Sequence, residues 1–126
     1  MIAAGGPVLV DFDYAGPEVP WWEFVQHRFD LASPVLGDRP PEPGLIQVAL
    51  AAYAEAGGMG GPARPQAFAG LVRSVLGTLA YELWLAAGHR TATADRRADA
   101  ARSVRRLAAR LPVILGSLDS WSRLIR

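Results

Sequence analysis

The stretch from about Pro65 to Ala87 constrains this chain most. Phe68, Leu71, Val72, Val75, Leu76, Leu79, Leu83 and Trp84 recur there at steps of three and four residues. That spacing stacks side chains on one face of a 3.6-residue helix. Gly88 stops the pattern, because glycine accepts the left-handed backbone that ends a helix. A long helix with an apolar face must bury that face against other elements. The flanking sequence is therefore expected to supply more helices.

A first helix is predicted from about Val19 to Ala32, carrying Trp21, Trp22, Phe24, Val25, Phe29 and Leu31. The Pro- and Gly-rich loop from Ser33 to Pro43 ends it. A second is predicted from about Gly44 to Ala56, with Leu45, Val48, Ala49, Ala52 and Tyr53 on one face, and the run Gly57 to Pro62 breaks it. A fourth begins near Thr93, an N-cap residue, with Asp95 in the first turn where the helix dipole favours a carboxylate. Its stripe is Ala98, Ala101, Val104, Leu107, Ala108 and Leu111. Pro112 is expected to kink or break it, leaving Val113 to Arg126 as a last helix with Leu115, Leu118, Trp121 and Leu124. At the other end, Gly5-Gly6 lies between Met1–Ala4 and Pro7–Phe12, a tight-turn signal that predicts a small β-hairpin. The predicted class is mainly α with that hairpin at its N-terminus. The stunted first strand carries the expectation that more chain belongs upstream.

Composition narrows the chemistry. At 126 residues, half of them apolar and with net charge +1, the chain suits one domain with a core. It has no cysteine, which excludes disulfides and thiolate metal sites and fits a reducing compartment. A cytoplasmic location is expected on that ground, together with the absence of a basic-then-apolar leader. Gly, Arg and Pro interrupt every apolar run before the roughly 20 residues that a membrane helix needs, so no membrane partner is expected. All 13 Lys-or-Arg positions are arginine, and there is no asparagine. No side chain here can act as a phosphate-binding lysine or an asparagine metal ligand.

The segment Val8-Leu9-Val10-Asp11-Phe12-Asp13-Tyr14-Ala15-Gly16-Pro17, followed by Pro20-Trp21-Trp22-Glu23-Phe24, is the most distinctive. An apolar strand ends in an acid. A loop with Gly-Pro follows, and then a helix opening on Pro, aromatics and an acid. This resembles one segment of the aminoglycoside phosphotransferase / choline kinase-like family, whose corresponding strand ends in Ile-Asp-Trp or Val-Asp-Phe. The resemblance implies a partial protein-kinase-like fold, the helical C-terminal lobe only. On that view the chain is a single partial domain, with 1–17 as hairpin and metal-binding-loop segment and 18–126 as helical subdomain.

The resemblance also implies an activity, the ATP-dependent phosphorylation of a hydroxyl on a small molecule. It implies Asp11 as the carboxylate that holds Mg²⁺ on the nucleotide's phosphates. Taken alone, without the flanking pattern, Asp11 reads first as a turn-capping aspartate. Asp13 is expected to be a solvated or turn-bonded carboxylate, and Glu23 to hold loop to helix. The family's His-Gly-Asp loop with its later Asn is not among these residues, since neither His27 nor His89 precedes Gly-Asp. The nucleotide-binding lysine is missing as well. No catalytic or cofactor-binding residue is therefore assigned, and the chain alone is expected to be inactive. Mg²⁺ with ATP belongs to the intact family and is not expected to bind this chain by itself.

Other features have plain structural readings beside functional ones. Arg102, Arg105, Arg106 and Arg110 share one face of the fourth helix. They could meet nucleic acid or anionic lipid, but near-neutral charge without interleaved aromatics favours a solvated face, and no nucleic-acid partner is expected. His27 and His89 lack metal-pair spacing, and Trp21, Trp22, Trp84 and Trp121 sit at helical spacing that favours core over a ligand pocket. If partner elements are missing, apolar surface near Val8, Val10, Phe12, Trp21 and Trp22 is expected to be partly uncovered and to drive self-association. The other reading of the whole is a free-standing, non-enzymatic helical binding or interaction module.

Overall fold

In the computed structural model, the described residues are 19–32 and 41–126, together with a short backbone pairing near the N-terminus. There β1 (Ile2–Ala3) pairs antiparallel with β2 (Gly6–Pro7), Ile2 opposite Pro7. The remainder of the hairpin predicted over 1–12 lies outside the described residues. The other regular elements among the described residues are helical: α1 (Pro20–Ala32), α2 (Pro43–Glu55), a 3₁₀ turn (Pro65–Phe68) leading into α3 (Ala69–Ala86), a short turn (His89–Thr91), and α4 (Ala94–Ser122) with a final 3₁₀ turn (Arg123–Ile125).

The apolar spacing explains how these pack. On α1 the buried residues are Trp21, Val25 and Phe29, one turn apart. On α3 they include Leu71 and Val75, continued by half-buried Leu79. On α4 the stripe Ala100, Val104, Leu107, Leu111, Ile114 and Leu118 advances in alternating steps of four and three. That rhythm keeps one seam facing a neighbouring helix. α4 runs back along α3, α1 lies against α3, and α2 contacts both α1 and the C-terminal turn. Gln47 Nε2 on α2 donates to the Leu124 carbonyl at 2.7 Å, fastening that last contact.

Two aromatic groups anchor the core. Phe29 meets Phe68 edge-on at 4.8 Å, and Trp121 lies 5.4 Å from Phe29, so α1, the turn before α3 and the end of α4 converge. In the other, Phe24 stacks on Tyr53 at 4.2 Å and Trp21 on Phe24 at 5.7 Å. Trp21 Nε1 donates to the Pro62 carbonyl at 3.4 Å. Trp21 is thus only 6 % exposed, and the expectation that it would stand uncovered is corrected: the Gly-rich segment after α2 folds over it. Val8, Val10 and Phe12 lie outside the described residues.

Three further expectations are revised. Pro112 does not divide the last helix, because α4 continues through it. Pro112 is exposed, so the backbone disruption that proline causes falls on the solvent side. Leu107 and Leu111 before it, and Ile114 and Leu118 after it, keep both halves in contact with the core. On α2 the buried residue is Ile46, with Leu50 and Tyr53 half-buried, whereas Leu45 and Val48 face out. In the last segment Leu115 is exposed, and Ile114, Ser122 and Ile125 are the buried positions. The helix boundaries otherwise follow the predicted ones, with Thr93 capping α4 by accepting from the Arg96 backbone N–H at 3.2 Å.

Candidate functional site

Asp11, for which the resemblance implies a metal role, and Asp13 lie outside the described residues. The helix expected to follow them does open at Pro20, with Trp21, Trp22 and Glu23 in its first turn. Glu23 is exposed and faces His27 one turn on, with Oε1 3.8 Å from Nε2. Among the described residues no cluster of three or more His, Asp or Glu side chains could hold a metal ion. None of the described helices is long and apolar enough to cross a membrane.

The arginines of α4 separate by partner. Arg102 pairs with Asp99 on the surface. Arg96 reaches across to Glu82 of α3 at 3.3 Å, a bridge whose carboxylate is largely buried. Arg105 and Arg106 are exposed. Arg110 departs from the predicted solvated face: it is half-buried and acts electrostatically on Asp30 of α1. Burial raises the Asp30 carboxyl above its usual pKa, and the positive fields of His27 and Arg110 offset only part of that shift. Asp30 Oδ1 is buried without a hydrogen-bond partner.

The tryptophans separate as well. Trp21 and Trp121 belong to the core, as their spacing predicted, but Trp84 is 49 % exposed. Around it lies a cluster that sequence reasoning missed. The Arg90 guanidinium sits 5.5 Å from the Trp84 ring centre and 6.0 Å from that of Tyr81, and His89 packs 5.3 Å from Trp84. A recess of about 410 Å³ is bounded by Ala80, Tyr81, Trp84 and Arg90. The backbone beneath is unusual, with Arg90 at φ 58° and Thr91 at φ 51°. Each such non-glycine residue costs roughly 1–3 kcal/mol. Gly88 signalled only the helix stop in the sequence. Nothing in Arg90-Thr91 signals two further left-handed residues.

A second, shallower groove of about 780 Å³ runs beside the start of α3 past Pro65, Val72, Arg73 and Leu76. It is mostly apolar, with Gln66 and Arg73 as its polar side chains.

No family model, curated protein or solved structure matches this chain. Functional assignment rests on the residues themselves.

Proposed function

We propose that this chain is the helical C-terminal portion of an ATP-dependent small-molecule phosphotransferase of the aminoglycoside phosphotransferase / choline kinase-like kind, with Asp11 as its metal-holding carboxylate. The observation that carries this reading is the segment from Val8 to Phe24, in which an apolar run, an acid, a Gly-Pro loop and a Pro-aromatic-acidic helix start follow in the family's order. The helix beginning at Pro20 and the helical architecture after it support the reading. Phosphoryl transfer of this kind depends on positioning and charge stabilisation by a lysine, a catalytic acid, an asparagine and Mg²⁺. The chain has no lysine or asparagine, so Asp11 alone cannot complete the reaction.

The purified 126-residue chain is therefore expected to show no ATP-dependent phosphorylation of aminoglycosides, choline or other alcohols. Turnover above a protein-free blank that Asp11→Ala abolishes would overturn the inactivity of the isolated chain.

A second reading, a free-standing binding module, is favoured by one observation. The Trp21, Val25 and Phe29 face of α1 is covered within the chain itself by α2, α3 and the segment after α2. Hydrogen exchange separates the two readings. Uniform protection in a monodisperse monomer favours the module, whereas rapid exchange over residues 1–18 with a protected α3 favours the phosphotransferase portion.

A further inference from the structure

The end of α3 and its connection to α4 carry a cluster that the phosphotransferase reading does not use. We propose that Arg90, Tyr81 and Trp84 form a binding site for a small anion whose carboxylate or phosphate group is attached to a flat aromatic body. The inference stands independently of the proposed function.

A guanidinium presents five N–H donors around its planar edge and has no acceptor. Here that of Arg90 lies over the Trp84 and Tyr81 rings at 5.5 and 6.0 Å. Contact with ring faces orients the group without using its donors, so the edge stays free for an oxyanion. Among the described residues no carboxylate pairs with Arg90. The nearest acid in sequence to Tyr81, Glu82, is already engaged by Arg96 at 3.3 Å.

The backbone holds this arrangement at a cost. Arg90 and Thr91 both adopt left-handed conformations that glycine would take without strain. The Thr91 hydroxyl donates to the Arg90 carbonyl at 2.7 Å, bracing the turn. A position that would be more relaxed as glycine instead carries an arginine laid over two aromatic rings.

The recess supplies the remaining specificity. Its volume of about 410 Å³ suits a small ligand, and Tyr81 and Trp84 are 41 % and 49 % exposed. A bare anion can use the arginine but not the rings. A neutral aromatic can use the rings but leaves the guanidinium edge unmatched. A ligand carrying both features uses the whole site.

The test is NMR titration of the full chain, following the Trp84 indole N–H, assigned through Trp84→Phe. The probes are phenyl phosphate and benzoate, with inorganic phosphate and benzyl alcohol as comparisons. We expect saturable, salt-sensitive shifts from at least one aryl anion in the millimolar range. Both comparison compounds should bind at least about tenfold more weakly. Tighter binding of phenyl phosphate would identify a phosphate ester as the ligand, and tighter binding of benzoate a carboxylate. Arg90→Gly, which suits the local backbone, should preserve the amide spectrum and weaken binding about tenfold or more. Arg90→Lys keeps the charge but loses the planar fork, and should weaken it similarly. If Arg90→Gly misfolds, Arg90→Lys and Trp84→Leu decide the matter. The proposal is overturned if neither aryl anion gives a saturable shift in the wild type. It is also overturned if a folded Arg90 variant binds as well as the wild type.

Discussion

Gly61 lies so close to Trp21 that a Cβ built on it would stand 2.4 Å from the indole ring. The ring is buried and wedged against Phe24 and Tyr53, so it cannot swing aside as a flexible side-chain tip would. Gly61→Ala should destabilise the fold by about 1–3 kcal/mol through overpacking, read as a lowered denaturant midpoint. An unchanged midpoint would mean that the lid over Trp21 is loose. Asp30 gives a second residue-scale test, in pH. Its carboxyl has a raised pKa in the folded chain, chiefly from burial. The folded state therefore holds that proton more tightly than the unfolded state does. The stability linked to this group is present below the unfolded value near 3.8 and lost as pH rises through the elevated folded value. Asp30→Asn should then raise stability at neutral pH and change it little in acid. A loss at neutral pH would show that the attraction of Arg110 and His27 outweighs burial.

Among the elements, α4 shows most clearly what the sequence disclosed and what it concealed. Its start was legible because Thr93 is an N-cap residue with Asp95 close behind, and its seam was legible through Val104, Leu107 and Leu111, whereas Ala98 and Ala108 of the expected stripe are exposed and Ala100 is buried instead. Its length was not. Pro112 carries a strong local preference for breaking a helix, and packing of Ile114 and Leu118 against the core overrides it. Proline in a helix interior costs about 3 kcal/mol relative to alanine, so Pro112→Ala should stabilise the chain by up to about that amount. Thermal unfolding would show it, and a lower midpoint would mean that α4 depends on the proline's shape. The second helix misled for a different reason. From Pro43 to Glu55 its side chains are almost all apolar, so periodicity marked a helix without marking which side turns inward. Of the face expected for it, Leu45, Val48 and Ala52 are exposed and only Ala49 and Tyr53 are half-buried, because the partners, α1 and the C-terminal turn, select Ile46.

At the scale of the whole molecule, the mainly helical class follows from apolar spacing kept by Trp21, Val25 and Phe29 of α1, by Leu71, Val75 and Leu79 of α3 and by Val104, Leu107 and Leu111 of α4, whereas Leu31, Leu76 and Leu83 of the expected faces are exposed. The arrangement of the helices does not follow from it, since contacts such as Phe29 with Phe68 and Trp121 join residues far apart in the chain. The candidate site divides in the same way. Asp11 stands out in the sequence through its neighbours, whereas the Arg90 cluster depends on a backbone turn that no residue pattern announces. The functional account rests on Asp11 and on catalytic groups that these 126 residues do not contain. Its most direct test is to read the in-frame codons upstream of Met1, express the extended polypeptide, and measure Mg²⁺-dependent phosphorylation of aminoglycosides and choline with ATP. The account predicts codons for a lysine-bearing lobe and a His-Gly-Asp loop with its later Asn. It also predicts turnover of at least one hydroxyl compound, collapsing in a folded Asp11→Asn variant. Upstream codons without that loop, or turnover that Asp11→Asn leaves intact, would contradict it.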